Sequence, residues 1–305
     1  MSLISIGTMA FDNVETPFGK AENIIGGACT YISWSASYFT QDLHIVAVVG
    51  DDFPQKELDE LTARGVNLDG LQIKKGEKSF FWAGKYHSNM NMRDTLDTQL
   101  NVLADFHPVL PPDQRNADYV MLGNLTPSVQ LEVINQFIER PKLVVLDTMN
   151  FWMDTAMDSL KEVLKHVDVI TINDEEARQL SGEHSLVKAA TVIQKMGPKY
   201  LIIKKGEHGA MLISGDEMFI APGLPLEEVF DPTGAGDTFA GGFIGYLAMT
   251  DDISFDNMKR AIIYGSAMAS FCVEKFGLEK LKELSMVQIE ARAREFKRIS
   301  DFNLD

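Results

Sequence analysis

The chain has 305 residues, and its 45% hydrophobic content is ordinary for a soluble globular protein with one large core or two modest ones. Its formal net charge of −16 argues against nucleic acid as a partner, because binding a phosphate backbone needs a basic face. No basic leader and no run of about eighteen apolar residues is present, so the sequence predicts no membrane partner and a cytoplasmic location.

Short β-rich runs alternate with helical patterns along most of the chain, which is typical of βαβ units around a mostly parallel sheet. No long linker divides the sequence, so we expect residues 1–305 to form a single α/β domain. The predicted strands cover 3–6, 45–49, 119–122, 143–146, 169–172 and 200–203. The predicted helices cover 55–64, 128–139, 186–196, 238–249 and 258–273.

Two polar features follow the first predicted strand. Asp12 follows it after a short loop, and the pair Gly26-Gly27 precedes an apolar stretch that contains Tyr31. From the residues alone, an aspartate that caps a turn and a glycine pair in a tight turn are sufficient explanations.

One region interrupts the alternation of strands and helices. The runs 71–77 and 79–87 are joined at a glycine and predict a β-hairpin outside the main sheet. The second run is rich in aromatic residues, which could cover a ligand, a core or a partner subunit.

Two later turns carry polar residues. Asn173 precedes the acidic sequence Asp174-Glu175-Glu176 and predicts a helix N-cap with acidic residues in the first turn. Further along, Gly206 and Gly209 lie between two β-rich runs and predict a tight hairpin turn.

The most informative motif runs from Phe230 to Gly242. The turn Thr233-Gly234-Ala235-Gly236 precedes an apolar helical pattern, so its free amides should lie at a helix N-terminus, where they can hold a phosphate. Asp237 then stands beside that pocket, where a carboxylate could accept the proton of an attacking hydroxyl. A first-turn aspartate stabilised only by the helix dipole is the alternative.

This motif resembles the C-terminal signature of the phosphofructokinase B family, the ribokinase-like sugar and nucleoside kinases. Pro232 stands where that family usually has threonine. The resemblance implies a ribokinase-like three-layer sandwich with a small β lid, here from about 12–22 and 71–105. It further implies that Asp237 is the catalytic base and that Gly234, Ala235 and Gly236 form the anion hole.

The resemblance extends to the donor side of the site. It implies that the family's Asn-x-x-Glu motif is Asn173 to Glu176, with Glu176 organising Mg²⁺ chiefly through water. It also implies ATP as the phosphoryl donor. The remaining residues that it implies for the nucleotide are Lys204, Gly206, Gly209 and Thr233.

On the acceptor side, the resemblance implies that Asp12, Gly26 and Gly27 touch the hydroxyl groups of a sugar or nucleoside. Tyr31 occupies a position where ribokinase-like members commonly carry asparagine, which puts simple ribose specificity in doubt. Asn150 matches part of an Asp-x-Asn segment near phosphate and acceptor. A homodimer formed through the lid and a K⁺ requirement are further expectations.

Three functions remain open on the sequence. A sugar kinase and an adenosine-type nucleoside kinase would use the same motifs, and a sensor that binds either compound without catalysis would keep the pocket. The intact sequence Gly234 to Asp237 favours an enzyme. No Walker-type phosphate loop is present as a competing signal.

Overall fold

The computed structural model of the protein describes residues 1–301 and 303. In chain order, the strands are β1 (Leu3–Ile6), β2 (Ala10–Thr16), β3 (Gly19–Gly26), β4 (Leu43–Gly50), β5 (Val66–Lys74), β6 (Phe80–Tyr86), β7 (Arg93–Gln99), β8 (Tyr119–Leu122), β9 (Leu143–Asp147), β10 (Val169–Asn173), β11 (Tyr200–Lys204), β12 (Ala210–Ser214) and β13 (Glu217–Ala221).

The helices lie between and after these strands. In chain order, they are α1 (Ala28–Ala36), α2 (Gln55–Ala63), α3 (Pro127–Ile134), α4 (Asn150–Thr155), α5 (Met157–Leu164), α6 (Asp174–Ser181), α7 (Leu186–Gln194), α8 (Ala235–Thr250), α9 (Phe255–Cys272), α10 (Glu279–Lys282) and α11 (Met286–Ser300). All the predicted helices form, although the helix predicted over 128–139 ends at Ile134. Within the described residues, no helix is both long enough and apolar enough to span a bilayer.

The main sheet confirms the predicted α/β architecture. In the described part of the chain it has nine strands in the order β13-β12-β11-β10-β9-β8-β1-β4-β5. The seven neighbouring strands β11, β10, β9, β8, β1, β4 and β5 run parallel to one another, whereas β12 and β13 add an antiparallel edge. The carboxyl ends of the parallel strands therefore meet along one edge, where ligands collect in such folds.

Helices cover both faces of the main sheet. Alternate strand residues point to opposite faces, so Leu3 packs into one apolar cluster and Ile4 into the other. The first cluster includes buried residues of α1, α2 and α8 to α11, and the second includes those of α3 to α7. The result is a three-layer sandwich.

A second, smaller sheet lies outside this sandwich. Its four strands have the order β3-β2-β6-β7. The outer pairs are antiparallel, but β2 and β6 run parallel. The small sheet thus combines a hairpin from residues 10–26 with a second hairpin from residues 80–99.

The prediction of a β-hairpin over residues 71–77 and 79–87 is wrong. Residues Leu71 to Lys74 belong to β5, which pairs in parallel with β4 at the edge of the main sheet. The connection then crosses the end of β4, where the Gly50 N–H donates to Ser79 Oγ at 3.0 Å. A glycine between two β-rich runs looks the same whether the chain reverses or passes from one sheet to another.

Helix α8 packs unusually close to its neighbours because glycines line it. A Cβ atom on Gly241 would lie 2.3 Å from the Ile32 carbonyl oxygen of α1, and one on Gly242 would lie 3.0 Å from Gly265 Cα of α9. Contacts this short with backbone atoms leave no room for a side chain. The glycines therefore fix how near α8 lies to α1 and α9.

Gly241→Ala is expected to lower the free energy of unfolding by about 1–3 kcal/mol, because the new methyl group must push α1 away from α8. Chemical denaturation monitored by circular dichroism measures this change. Met249→Ala, at an exposed position on the same helix, is the control and should change stability by about 0.5 kcal/mol or less. An equal effect of both substitutions would contradict the close-packing account.

Candidate active site

Polar residues end three neighbouring parallel strands at the carboxyl edge of the main sheet. Asp147 ends β9, Asn173 ends β10 and Lys204 ends β11. Because β9, β10 and β11 are adjacent, these residues from distant parts of the sequence lie side by side. The sheet order therefore builds this side of the site.

The glycine turn lies at the N-terminus of α8, as predicted. Gly234 is the N-cap residue in the left-handed conformation, with φ 74°, and the helix begins at Ala235. A Cβ atom on Gly234 would lie 2.4 Å from the ring of Tyr31, so both the backbone angle and the space require glycine. The first-turn amides of such a helix have no intrahelical acceptors and can bind an anion.

Asp231 holds the segment that leads into this turn. Its buried carboxylate accepts hydrogen bonds from the N–H groups of Thr233 at 2.8 Å and Gly277 at 3.0 Å. The Pro232 carbonyl accepts a hydrogen bond from the Ala235 N–H at 3.2 Å. The proline at this position is thus compatible with the closed turn.

Asp237 occupies the first turn of α8 and is partly buried. Burial and the nearby Asp147 raise the pKa of Asp237 to about 7, against the opposing effect of Lys204. A carboxylate with such a pKa is half protonated near neutral pH and suits proton transfer at that pH. The raised pKa and the position beside the first-turn amides therefore both suit Asp237 to proton transfer.

Lys204 connects the main sheet to the glycine turn. Its Nζ lies 3.3 Å from both carboxylate oxygens of Asp147, and a Cβ on Gly236 would lie 3.1 Å from the same Nζ. Burial by itself would lower the pKa of Lys204, but Asp147, Glu176 and Asp237 outweigh burial and raise it. Lys204 therefore remains a cation next to the amides.

The Asn-x-x-Glu segment forms a reciprocal helix cap. Asn173 Oδ1 accepts from the Glu176 N–H, and Glu176 Oε2 accepts from the Asn173 N–H, both at 2.8 Å. Burial raises the pKa of Glu176 to about 7, with Lys204 opposing and Asp147 adding to the rise. The capping prediction is confirmed, and the cap places Glu176 close to Lys204 and Asp147.

Asn150 does not join this group in the described contacts. It is exposed at the start of α4, where its side chain accepts a hydrogen bond from the Phe151 N–H at 3.1 Å. Asp147, three residues earlier, contacts Lys204 instead. A role for Asn150 in acceptor binding stays a prediction.

Asp12, Gly26 and Gly27, three of the residues predicted to bind the acceptor, lie together on the small sheet and at its junction with α1. Asp12 is 5% exposed on β2, and a Cβ on Gly26 would lie 1.8 Å from its Oδ2. Gly27 caps α1 with φ 91°, where a Cβ would meet the Thr8 carbonyl oxygen at 2.5 Å. Burial, Asp231 and Asp237 raise the pKa of Asp12 to about 8.

Tyr31 lies under the glycine turn and is only 1% exposed. Its ring fills the space that a side chain on Gly234 would need. Its hydroxyl is buried and has no hydrogen-bond partner among the described residues. The packing of Tyr31 against Gly234 gives it a supporting role that the sequence did not reveal, while contact with the acceptor stays a prediction.

A cavity of about 990 Å³ opens beside the glycine turn. The turn Gly206–His208, Ala235 and Gly236 line one part of it, and the β6–β7 connection with Asn91 lines another. A Cβ on Gly206 would lie 2.3 Å from Asn91 Oδ1, so this connection closely approaches the main sheet. The α9 residues in the wall are Ser266, Ala269 and Ser270.

Sequence reasoning missed two residues of the small sheet. Tyr86 was noted only as an aromatic, but its hydroxyl lies 3.2 Å from Thr233 Oγ1 in the glycine turn. Arg93, directly opposite Tyr86 on β7, was not noted at all. No local motif marks either residue, because strand register and sheet docking bring them to the site.

A pocket of helix-terminal amides with a buried carboxylate beside it is the arrangement that phosphoryl transfer requires, since the amides take up phosphate charge and the carboxylate takes up a proton. The site and fold thus define a phosphotransferase. The family model of pfkB family carbohydrate kinases matches residues 9–283. The chain therefore belongs to the pfkB family.

Individual relatives agree with this assignment. The chain is 28% identical over 252 residues to a cytidine kinase of Thermococcus kodakarensis, covering 81% of this chain and 88% of the relative. It is 32% identical over 277 residues to a ribokinase of Bacillus subtilis, covering 87% of each.

A solved structure confirms the ribokinase-like fold. It is a candidate ribokinase II from E. coli in complex with ATP and Mg²⁺, with TM-score 0.79 and 20% identity over 96% of this chain and 99% of that chain. Identity this low supports the fold alone. The three-layer sandwich with a second small sheet is therefore an established feature of this protein.

Asp12→Asn is expected to stabilise the protein more at high pH than at low pH. Folding raises the pKa of Asp12 from 3.8 to about 8. Between these two pKa values the folded protein keeps the proton and the unfolded chain loses it, so the unchanged protein becomes less stable as the pH rises through this range. Asparagine cannot ionise, so the gain in Tm over the unchanged protein should grow between about pH 5 and about pH 8.5 in differential scanning calorimetry.

Asp105→Asn, at an exposed position, is the control and should produce the same small difference in Tm at both pH values. A pH-independent difference for Asp12→Asn would contradict the burial of an ionisable Asp12.

Proposed function

We propose that this protein is an ATP-dependent kinase that transfers the γ-phosphoryl group to a hydroxyl group of a small sugar or nucleoside. The observation that carries this proposal is the position of Asp237, in the first turn of α8 and near Lys204. Membership of the pfkB family supports the same activity.

In the proposed reaction, Asp237 accepts the proton of the acceptor hydroxyl. The hydroxyl oxygen bonds to the γ-phosphorus while the bond from that phosphorus to the departing oxygen of ADP breaks. The amides of the turn Gly234 to Gly236 stabilise the negative charge of the transferring group. Lys204, which Asp147 holds in place, adds a fixed positive charge next to them.

The cavity beside the glycine turn fits the nucleotide. Its volume of about 990 Å³ falls within the usual range of small-molecule sites, and its wall combines glycine loops with small residues of α9. We assign Gly206 and Gly209 to the donor side on this basis. Thr233, in the glycine turn, and Asn173, which positions Glu176, are assigned to the same side by the family resemblance.

The acidic residues fit a magnesium ion that is held largely by phosphates and water. Within residues 1–301 and 303, no group of His, Cys, Asp or Glu forms a metal cage, whereas Glu176 lies close enough to Lys204 and Asp147 to affect their charges. Glu176 would hold the ion through water. When bound, Mg²⁺ offsets the charge of the donor phosphates.

The small sheet is proposed to act as a lid over the acceptor. Asp12 and Trp82 are cross-strand partners between β2 and β6, so both side chains are on the same face of that sheet. A lid of this kind excludes water and thus limits hydrolysis of the donor. The acceptor would lie between this face and Gly26-Gly27.

A nucleoside is the alternative acceptor to a sugar. The similarity to a cytidine kinase and the aromatic ring of Trp82 on the face that carries Asp12 favour a nucleoside. The similarity to a ribokinase favours a sugar. ADP release from Mg-ATP across a panel of sugars, sugar phosphates and nucleosides separates these acceptors.

A sensor that binds the acceptor without turnover would give a different result in the same panel. It would show a rise in Tm with one compound and no ADP release with any. Cytoplasmic location, a homodimer formed through the small sheet and a K⁺ requirement stay predictions.

Asp237→Asn is expected to lower kcat by roughly two to four orders of magnitude, because asparagine cannot accept the proton, while ATP binding persists. Steady-state ADP release and calorimetric titration with ATP measure the two effects. Asp256→Asn makes the same change in the first turn of α9, at an exposed position, and should leave kcat unchanged. Near-full turnover of Asp237→Asn would remove Asp237 from the mechanism.

The pH dependence of kcat/KM is expected to report the raised pKa of Asp237. Since only the deprotonated carboxylate can accept a proton, kcat/KM should fall as the pH drops below about 7. The residual activity of Asp237→Asn should show a shallower fall, which separates Asp237 from Glu176 and Asp12. A flat profile from pH about 8 to about 5 would show a base with an ordinary carboxylate pKa.

A further inference from the structure

Strand β7 carries a cation to the face of the small sheet that meets the glycine turn. Arg93 is the first residue of β7 and pairs with Tyr86, the last residue of β6. Cross-strand partners place their side chains on the same face of a sheet. Arg93 and Tyr86 therefore point the same way.

Tyr86 fixes where that face lies. Its side chain is buried, and its hydroxyl lies 3.2 Å from Thr233 Oγ1, one residue before Gly234. Near the same end of the small sheet, Asn91 approaches Gly206 on the opposite side of the cavity. Arg93 follows Asn91 by two residues and is the cross-strand partner of Tyr86, so both docking points hold it near the glycine turn.

The charges around Arg93 agree with this placement. Arg93 is solvent-accessible, as are all residues of β7, but the surrounding protein partly desolvates it; this desolvation opposes its charge, and Tyr86, Glu176 and Asp237 outweigh that effect and raise the pKa of Arg93. In turn, the guanidinium group is one of the influences that lower the pKa values of Asp12, Glu176 and Asp237. These carboxylates belong to β2, α6 and α8, so the charge of Arg93 acts on groups of both the small sheet and the main domain.

Arg93 is not committed to any one of these carboxylates. Its guanidinium group lies 5.5 Å from the centre of the Trp82 ring, and in the described part of the chain no carboxylate oxygen comes within 4.0 Å of it. Lys204, by contrast, is paired with Asp147. The guanidinium group of Arg93 interacts with the Tyr86 hydroxyl but, among the described residues, forms no ion pair, so it keeps N–H donors for a bound anion.

We infer that Arg93 is a catalytic residue of the proposed kinase, which donates hydrogen bonds to the transferring phosphoryl group when the small sheet is docked over the site. This role rests on the proposed function. A planar guanidinium group offers five N–H donors in a geometry that matches phosphate oxygens. Arg93 forms and breaks no covalent bond, because the proton goes to Asp237 and the leaving oxygen remains on ADP.

This location also couples catalysis to docking of the small sheet. With the sheet displaced, the phosphate would keep the amides and Lys204 but lose the guanidinium group. Transfer to water would then lack one source of transition-state stabilisation. An arginine on the small sheet, rather than on the main sheet, thus favours transfer to a bound acceptor.

Arg93→Gln is expected to lower kcat by about 10²- to 10³-fold, in line with the loss of a transition-state hydrogen-bond donor, and to change the acceptor KM by about threefold or less. Arg93→Lys should recover part of the loss, since it keeps the charge without the planar donors. Lys85→Gln is the control, because Lys85 lies on the opposite face of the same sheet and pairs with Glu15 at 2.8 Å.

Binding of a transition-state mimic provides a readout that is independent of turnover. Mg-ADP with aluminium fluoride and the acceptor found in the panel should raise the Tm of the unchanged protein well above the value with Mg-ADP alone. Arg93→Gln should lose this additional rise and keep the rise from Mg-ADP. A merely structural role would reduce both.

Guanidinium chloride at non-denaturing concentration adds a second independent readout. It should restore part of the kcat of Arg93→Ala and leave that of Lys85→Gln unchanged. If Arg93→Gln retains kcat within about threefold of the unchanged protein, the role of Arg93 is overturned and the kinase stands. If the unchanged protein turns over no acceptor, the proposed function fails, and this role fails with it.

Discussion

The site depends on the balance between buried carboxylates and a small number of cations. Asp147, Glu176 and Asp237 converge at the carboxyl edge of the main sheet, where burial raises their pKa values. The positive charge of Lys204, whose Nζ lies 3.3 Å from both Asp147 carboxylate oxygens, partly offsets the repulsion between these negative charges. The same balance keeps Asp237 near its titration point, which is the property that a general base at neutral pH needs.

Contacts between the two sheets determine whether the site is complete. The small sheet contacts the glycine turn through Tyr86 and Thr233, and it approaches the large cavity through Asn91 and Gly206. At its other hairpin, Phe18 packs against Phe230 with ring centres 5.0 Å apart. These contacts lie on both sides of the glycine turn, so displacement of the small sheet would remove several groups from the site at once.

Close backbone packing holds helix α8 in place. Gly234 lies against the Tyr31 ring, and Gly241 lies against the Ile32 carbonyl. Both contacts join α8 to α1, the helix that Gly27 begins beside Asp12. The glycine turn and the surroundings of Asp12 are therefore mounted on two helices that touch directly, which limits variation in the distance between Asp237 and Asp12.

The sequence by itself determined the features that depend on near neighbours: the βαβ alternation, the Asn173 cap with Glu176, and the glycine turn at the start of α8. Only the tertiary structure decided the partner of β5, the packing of Tyr31 under Gly234, and the arrival of Arg93 at the site. Hydrophobic periodicity and capping act over a few residues and leave a readable pattern, whereas sheet order and docking join residues far apart in the chain.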